Sequence, residues 1–450
     1  MIASTSVIDL FAGAGGWDQG LRRLGVHAVV GVELDPAACA TRRAAGLQTI
    51  QADVATIDPR RVGHSTEGLT ASPPCQAFSR AGLRRGMLDR QRLLDHLRAC
   101  ARGWVPLSHH EWADTRSPLI LEPLRWAYVL RPHWVAFEQV PDCMPLWEAT
   151  LEVLAEWGYR GYTKVLNAAD FGVPQTRRRA VLVASRLVRA MPPEPTHAKA
   201  GAPGGLPPWV SMATALGWDP RLGPPKEAPG CDILSTGQRS RRAGAMVPYE
   251  TTVCRPGPTV TTKSHCQWYV RLNNQANATV RRLDEPAPTV FCGHSLNTMA
   301  WIPSREVRPG PMRGGNRIRG RVPVQIAQLG VLQTFPADYP WSGTKTQRGR
   351  QVGNAIPPLL AAAVLRPVVN GRPTGRARRV TGPPVMSRPA LRACAGRREA
   401  AETTPVETTQ NPVGLPLQHA NAKRRTPKRY IDRKATPAEG GDAPTTRRRP

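Results

Sequence analysis

The sequence predicts an α/β protein: a mainly parallel sheet that carries the chemistry, a smaller irregular domain, and a basic, disordered tail. Three observations support this. Short apolar runs alternate with helical stretches over residues 5–185, the rhythm of βαβ units in a parallel sheet. Those runs end in glycines, acids or a proline-flanked cysteine, and open α/β sheets bind ligands outside the carboxyl ends of their strands. From residue 371 onward the chain is rich in Pro, Thr and Arg and poor in large apolar residues, a composition that does not build a core.

A chain of 450 residues is long enough for two or three domains. Its 62 Lys and Arg against 33 Asp and Glu leave a net charge of +29, which favours a polyanionic partner, nucleic acid first. The tail carries part of that excess. Arginine outnumbers lysine, which suits forked contacts to phosphate and guanine. Nine cysteines stand at 39, 75, 100, 143, 231, 254, 266, 292 and 394 with no CxxC among them. That argues against a disulfide framework or zinc ribbon and for a reducing cytoplasm. Cys254, His265, Cys266, Cys292 and His294 cluster loosely, at no tetrahedral spacing, so no metal is expected. No apolar run is long enough to span a bilayer and the N-terminus lacks a signal-peptide core, so no membrane partner is expected.

Residues 5–11 read as a buried strand. Ala12-Gly13-Ala14-Gly15-Gly16 follows as a turn. Its glycines let backbone approach a ligand, and a helix over 17–24 begins with free N–H groups. A second strand, 27–32, ends in Glu33-Leu34-Asp35, and an acid there is placed to accept ribose hydroxyls. Asp35 has a structural reading as N-cap of a helix over 36–45 that starts on Pro36, which leaves Glu33 as the ligand candidate. A third strand, 47–52, ends in Asp53, placed either for the amine of an adenine or for a loop turn. The run 68–71 reads as the end of a fourth, before Ser72-Pro73-Pro74-Cys75-Gln76. The prolines fix φ and lack donors, so Cys75 sits on a stiff loop. Most unpaired cysteines are buried packing residues, but a thiol on a stiff loop at the carboxyl end of a strand stands where open α/β sheets put chemistry.

Arg84, Arg85, Arg90, Arg92 and Arg98 form a basic stretch beside that loop, either a phosphate clamp or a solvated helix face. A helix over 118–130 leads to a strand over 133–137 that runs into Glu138, another acid on the same rim if the sheet is parallel. A helix over 144–157, a strand over 159–167 and a strand over 180–184 complete the pattern. Alternate strand residues share a face, so Gln175, Arg177 and Arg179 are expected to point together toward a base edge and phosphates.

These segments closely resemble the cytosine-C5 DNA methyltransferases. The stretches that carry the resemblance are Asp9 to Gly16, Glu33-Leu34-Asp35, Asp53, Pro74-Cys75-Gln76, Glu138-Gln139-Val140, Gln175 to Arg179, Leu332 to Pro336 and Gln351 to Pro358. They stand in the family's usual order. Glu138-Gln139-Val140 replaces the usual Glu-Asn-Val, the stretch from Val322 to Gln328 lacks the usual Arg-Glu pair and has Val324-Gln325-Ile326 instead, and the long gap from Cys75 to Glu138 implies an insertion near 95–118.

The resemblance implies a Rossmann-like, S-adenosylmethionine-dependent methyltransferase sheet. It implies that Cys75 adds to C6 of a flipped-out cytosine, that Glu138 acts at N3, and that Arg179, Arg177 and Gln175 hold the base and its phosphate. S-adenosylmethionine is expected against Phe11, Ala12, Gly13, Gly15, Gly16, Glu33, Leu34, Asp53, Val54 and Pro74, with Asn354 closing the site. The expected division is a catalytic part over 1–190, target recognition over 191–316, a return segment over 317–370 that completes the catalytic domain, and a tail over 371–450. Two Pro-Thr turns repeat, at Arg255 to Thr261 and Glu285 to Phe291. Lys263, His265, Gln267, His294 and Asn297 are the candidate base readers. The expected partner is double-stranded DNA, bound by a monomer in the cytoplasm, in restriction-modification with a cognate nuclease or in phage self-protection. The rivals are a transfer-RNA cytosine methyltransferase, disfavoured by the separate recognition region, and a silent DNA-binding homologue, disfavoured by intact Cys75, Glu138 and Arg179.

Overall fold

The computed structural model describes residues 7–63, 66–79, 85–107, 112–218, 224, 268–271, 279–290, 300–303 and 322–370. The tail expected over 371–450 lies outside them. The first eight strands are β1 (Val7–Leu10), β2 (Val29–Glu33), β3 (Gln48–Gln51), β4 (Gly68–Ala71), β5 (Trp134–Gln139), β6 (Arg160–Asn167), β7 (Gln175–Thr176) and β8 (Arg178–Ser185). All but β7 join one sheet in the order β3-β2-β1-β4-β5-β8-β6. β1 to β5 pair in parallel, and β8 runs antiparallel between β5 and β6. Strand order reverses between β1 and β4, and the crevice of an open α/β sheet lies at such a switch point.

The helices are α1 (Gly16–Arg22), α2 (Pro36–Ala44), α3 (Arg90–Ala99), α4 (Glu122–Leu130), α5 (Met144–Glu156), α6 (Met212–Leu216), α7 (Ile326–Leu332), α8 (Lys345–Asn354) and α9 (Pro358–Val369). The helix expected over 118–130 starts as a 3-10 turn, Ser117–Leu121, before α4. Strand alternation divides the core into two apolar layers. Ile8 and Leu10 of β1 face a layer with Leu93, Trp126, Trp147 and Leu154 of α3, α4 and α5. Val7 faces the other, with Trp17 and Leu21 of α1 and Leu360, Val364 and Leu365 of α9. α1 and α9 approach so closely that a Cβ on Gly20 would lie 2.6 Å from the Cβ of Ala361. By length and composition the stretch Lys345–Val369 passes for a membrane span, but 67% of its most apolar window is buried inside the protein, as befits a core helix.

One row across the sheet breaks the apolar pattern. Thr49, Gly31, Asp9 and Thr70 stand level on β3, β2, β1 and β4. Above the row lies Arg42, with 0% of its surface exposed. Its Nη1 and Nη2 donate to the two oxygens of Asp18 at 2.7 and 2.9 Å, and its Nε donates to Thr49 Oγ1 at 3.1 Å. Weaker bonds reach the carbonyls of Ala12 (3.4 Å) and Gln48 (3.3 Å). Asp9 Oδ2 lies 3.9 Å from Nη1, and Asp9 Oδ1 accepts from Thr70 Oγ1 at 2.8 Å. Burial, reinforced by the charge of Asp18, holds Asp9 well above the usual carboxylate range. Gly31 is where the guanidinium enters: a Cβ there would lie 1.9 Å from Nη2.

The smaller sheet is antiparallel. β9 (Trp268–Arg271), β10 (Val280–Arg282), β12 (Ala300–Pro303) and β13 (Val322–Pro323) run in the order β10-β9-β12-β13. β11 (Ala287–Pro288), which the second Pro-Thr turn introduces, pairs in parallel with β7. The first Pro-Thr turn lies outside the described residues. Val270, Leu283 and Trp301 share a core with Met212 of α6, Leu329 of α7 and Val352 of α8. β13 belongs to the chain segment that returns to the main sheet, so that segment first completes the small sheet.

Removing one partner of a buried ion pair strands the other. Arg42→Ala is expected to cost about 3–5 kcal/mol, and the paired replacement Arg42→Met with Asp18→Leu less than Arg42→Ala alone. Urea unfolding midpoints of the two variants check this.

Candidate active site at the carboxyl rim

Register brings the strand ends level. Leu10 pairs with Val32 and Ala71, and Ala71 pairs with Phe137. Phe11, Glu33, Ser72 and Glu138 are each the next residue beyond that line, so four segments of the sequence pattern meet on one rim.

The turn after β1 needs left-handed backbone at Phe11 (φ 54°), Gly13 (φ 53°) and Gly15 (φ 95°). For a non-glycine this costs roughly 1–2 kcal/mol. The turn is held by Ala12 N donating to Val32 O (3.1 Å) and Gly15 N to Ala12 O (2.9 Å). A Cβ on Gly13 would meet nothing within 4 Å, so the turn opens onto free space. Gly16 is pressed against the chain instead, with the Ile356 carbonyl 2.4 Å from where its Cβ would be. Glu33 grips the turn from β2: its Oε2 accepts from Gly13 N and its Oε1 from Asp35 N, both at 2.7 Å. Asp35 caps α2 through Ala37 N (2.8 Å), as its sequence position predicts. Leu34 is 61% exposed between the two acids. Asp53 Oδ1 accepts from Ala55 N at 2.9 Å, which gives it a turn-forming bond of its own. Val54 is buried, and its carbonyl accepts from Arg125 Nη2 (2.8 Å) and Trp126 Nε1 (3.2 Å). Asn354 is exposed at the end of α8, two residues before Ile356.

Cys75 is half-buried on the loop after β4. Its carbonyl accepts from Phe78 N (3.0 Å) and Ser79 N (2.8 Å), and buried Phe78 anchors that turn. Trp17 Nε1 donates to Ser72 Oγ at 3.0 Å, which ties the loop to α1. Gln139, 1% exposed, donates from Nε2 to Pro73 O at 3.0 Å, and its Oε1 accepts from Val140 N at 2.7 Å. The longer side chain is thus accommodated: it folds back on its own neighbour and clamps the cysteine loop.

Glu138, at the end of β5, is paired with Arg179, at the start of β8. Arg179 Nε lies 2.7 Å from Glu138 Oε1, with the side chains 11% and 6% exposed. Arg179 Nη1 also donates to Arg178 O at 2.8 Å. Burial pushes the Cys75 thiol up; Arg179 pulls it back, Glu138 opposes that, and Arg177 adds a smaller lowering.

Gln175 and Arg177 depart from the expected common face with Arg179. The chain passes from β7 to β8 at Arg177, and both side chains are buried against other segments. Gln175 Nε2 donates to Gln333 Oε1 (3.2 Å) and Leu332 O (3.5 Å), and its Oε1 accepts from Val290 N (3.0 Å). Arg177 donates from Nη1 to Val290 O (3.1 Å) and from Nη2 to Gly353 O (2.9 Å). They lace the returning chain to the sheet and leave Arg179 alone at Glu138. The candidate readers Lys263, His265, Gln267, His294 and Asn297, the loose Cys/His cluster and Arg84 lie outside the described residues.

The sequence reading missed the Arg42 row, although an acid within a buried strand, Asp9, was a signal for it. It also missed Arg116. That exposed residue grips Asp114 through Nε (2.8 Å) and Nη2 (2.7 Å). Its pKa is raised, mainly by that hydrogen bond, with a smaller contribution from the charge of Cys75. No periodicity marks it, because the 95–118 segment interrupts the alternation.

Residues 5–99 and 108–200 match the family model described as C-5 cytosine-specific DNA methylase. The unmatched 100–107 fall inside the expected insertion. The Type II methyltransferase M.AquIA of a Picosynechococcus species is 33% identical over 215 residues, 42% of this chain and 76% of that one. The Type II methyltransferase M1.HphI of Haemophilus parahaemolyticus is 27% identical over 380 residues, 81% of this chain and 87% of its own. M.PspPI of a Psychrobacter species, also a Type II methyltransferase, is 28% identical over 386 residues, 81% and 79% of the two chains. The chain belongs to the C-5 cytosine-specific DNA methylase family. It is a DNA cytosine-C5 methyltransferase, and S-adenosylmethionine is the methyl donor its family implies.

Two outcomes test the rim. Because the Cys75 thiol is raised, its alkylation by iodoacetamide in the DNA-free protein should climb with pH to a midpoint above the ordinary thiol value of about 8.5. Arg179→Gln should move that midpoint further up, as read by mass spectrometry of the Cys75 peptide. Gln139→Leu leaves Pro73 O and Val140 N unpaired and is expected to cost about 1–3 kcal/mol, measured by denaturant unfolding.

Proposed function

We propose that Cys75 is the nucleophile of the methyl transfer and that the Glu138–Arg179 pair shapes the charge beside it. The observation that carries this is a half-buried thiol on a stiff, clamped loop, next to a buried carboxylate that an arginine holds at 2.7 Å. The target cytosine leaves the duplex, since C6 and N3 are out of reach inside it. The Cys75 thiolate adds to C6, forming an S–C6 bond and pushing the C5=C6 electron pair onto C5. A proton held between the Glu138 carboxyl and N3 forms the hydrogen bond that offsets the negative charge developing there. Arg179 keeps Glu138 in place and stabilises the thiolate. After C5 is methylated, a water takes its proton, the electrons of that C–H bond re-form the C5=C6 double bond, and the C6–S bond breaks with its electron pair on sulfur, which frees the Cys75 thiolate.

The rim fits the nucleoside part of S-adenosylmethionine. Gly13 opens on free space, Leu34 and Phe11 offer apolar surface, and Glu33 and Asp53 offer carboxylates for hydroxyl and amine groups. Ala12, Gly15, Gly16, Val54 and Pro74 shape the backbone around it, and Asn354 stands at its edge. When bound, the donor supplies an electrophilic methyl group. Residues 1–190 and 317–370 form the catalytic domain in this reading, and 191–316 the target-recognition domain. The relatives named Type II methyltransferases support a restriction-modification role in the cytoplasm with a cognate nuclease. We place the enzyme on DNA as a monomer.

Labelled methyl transfer to a DNA pool, followed by bisulfite sequencing, tests the reading. The wild-type protein should methylate one recurring sequence. Cys75→Ser should lose more than about a thousandfold in rate and still bind DNA. Undiminished transfer in Cys75→Ser would remove the nucleophile assignment. Transfer to RNA alone would move the substrate.

A further inference from the structure

We propose that Tyr339 is a positioning residue for the methyl donor: its hydroxyl locks the glycine turn after β1 in the form that receives S-adenosylmethionine. This deepens the reading above and rests on it. The turn is easy to bend and, for the same reason, easy to flip. Ala14 lies between Gly13 and Gly15, and glycine adopts φ of either sign without a steric penalty. Sterics therefore leave the orientation of the Ala14–Gly15 peptide open, and hydrogen bonds must set it.

Most polar groups of the turn are answered by the elements beside it. Ala12 N bonds Val32 O, Gly13 N bonds Glu33 Oε2, and Gly15 N bonds Ala12 O. The Ala14 carbonyl is different. Ala14 is 0% exposed, and no backbone N–H among the described residues reaches its oxygen. The donor is the Tyr339 hydroxyl, at 2.5 Å, from a residue 325 positions further along the chain.

Tyr339 is itself held fast. It is buried, with its ring against Phe335 (centroids 4.8 Å apart) and Trp341 (4.9 Å). Burial pushes its phenol above the ordinary range, so it stays protonated and able to donate. The loop that carries it is tied to α2. Ser342 N donates to Thr41 Oγ1 (2.8 Å), Thr41 Oγ1 to Gln351 Oε1 (2.6 Å), and Gln351 Nε2 to Ser342 O (3.0 Å). Arg42, the next residue of α2, donates to the Ala12 carbonyl at 3.4 Å. The turn is thus gripped from α2 and from the returning chain, while Gly13 faces free space. Tyr339 acts on the donor through the turn, and its effect is one of population. A turn that samples several forms binds in the one that fits, and apparent affinity falls by the fraction in that form.

The test uses the full-length protein and Tyr339→Phe, which keeps the packed ring and removes only the hydroxyl. The KM for S-adenosylmethionine should rise roughly tenfold, with kcat at saturating donor and the KM for DNA within about twofold of wild type. Amide hydrogen exchange gives a second readout. Without donor, residues 12–16 should exchange faster in Tyr339→Phe than in wild type, and equally slowly in both once S-adenosylhomocysteine saturates the site. An unchanged KM for S-adenosylmethionine, whatever the unfolding temperature does, overturns the lock and leaves Tyr339 a packing residue. A loss confined to kcat overturns it too. If S-adenosylhomocysteine leaves residues 12–16 of the wild-type protein unprotected, the donor reading of the rim fails and the lock fails with it.

Discussion

Arg42 has no water to turn to, so the groups around it must answer its charge. Asp18 answers with both oxygens, Thr49 with a hydroxyl, and Ala12 and Gln48 with carbonyls. Those partners come from α1, β3 and the turn after β1. The guanidinium therefore fixes how the first helix leaves the sheet, and through the Ala12 carbonyl it reaches the left-handed turn itself. A buried pair of this kind contributes little net stability against an apolar substitute. Its effect is to allow one arrangement of the turn and exclude others, because any shift leaves a charge unanswered.

The passage from β7 to β8 sends buried side chains of one short segment to different partners. Along 175–179 the odd positions are all buried, but they face different neighbours. Gln175 bonds the Gln333 side chain and the Val290 N–H, and Arg177 the carbonyls of Val290 and Gly353, while Arg179 pairs with Glu138. A similar division holds across the strand end at β5, where Glu138 faces the pair and Gln139 holds the loop at Pro73. Neighbouring residues with opposite orientation serve opposite purposes, which a two-residue period makes unavoidable.

Much of this was legible in the sequence, for definite reasons. Strands and helices of the main sheet announce themselves through apolar runs, caps and glycines; Asp35 before Pro36 marks the start of α2 to the residue. The placing of Glu33 and Glu138 on one rim followed from parallel strands alone. What stayed hidden depends on partners distant in sequence. Arg177 looks like a phosphate ligand until Val290 and Gly353 are seen to occupy it. Arg42 looks like helix-surface charge until Gly31 is seen to leave room for it. Asp89 looks like a turn acid until residues 113–117 fold back on its oxygens. Local pattern carries secondary structure, whereas the identity of a side chain's neighbour is settled by the whole fold.

The short parallel ladder of β7 with β11 carries a mechanical consequence. One strand of that ladder, Gln175–Thr176, lies three residues before the arginine at Glu138; the other, Ala287–Pro288, leads into Val290, which Gln175 and Arg177 hold from both sides. The segment that β11 opens is thus joined to the main domain mostly through its backbone: Ala287 O accepts from Thr176 Oγ1 (3.2 Å), Val290 is held through N and O by Gln175 and Arg177, and one side chain, Thr289 Oγ1, donates to Thr176 O (2.8 Å). Such a junction constrains the incoming segment mainly through its backbone, with the Thr289 hydroxyl as the exception. Side chains of the small sheet that touch neither β7 nor β8 can therefore change without disturbing the pair at Glu138.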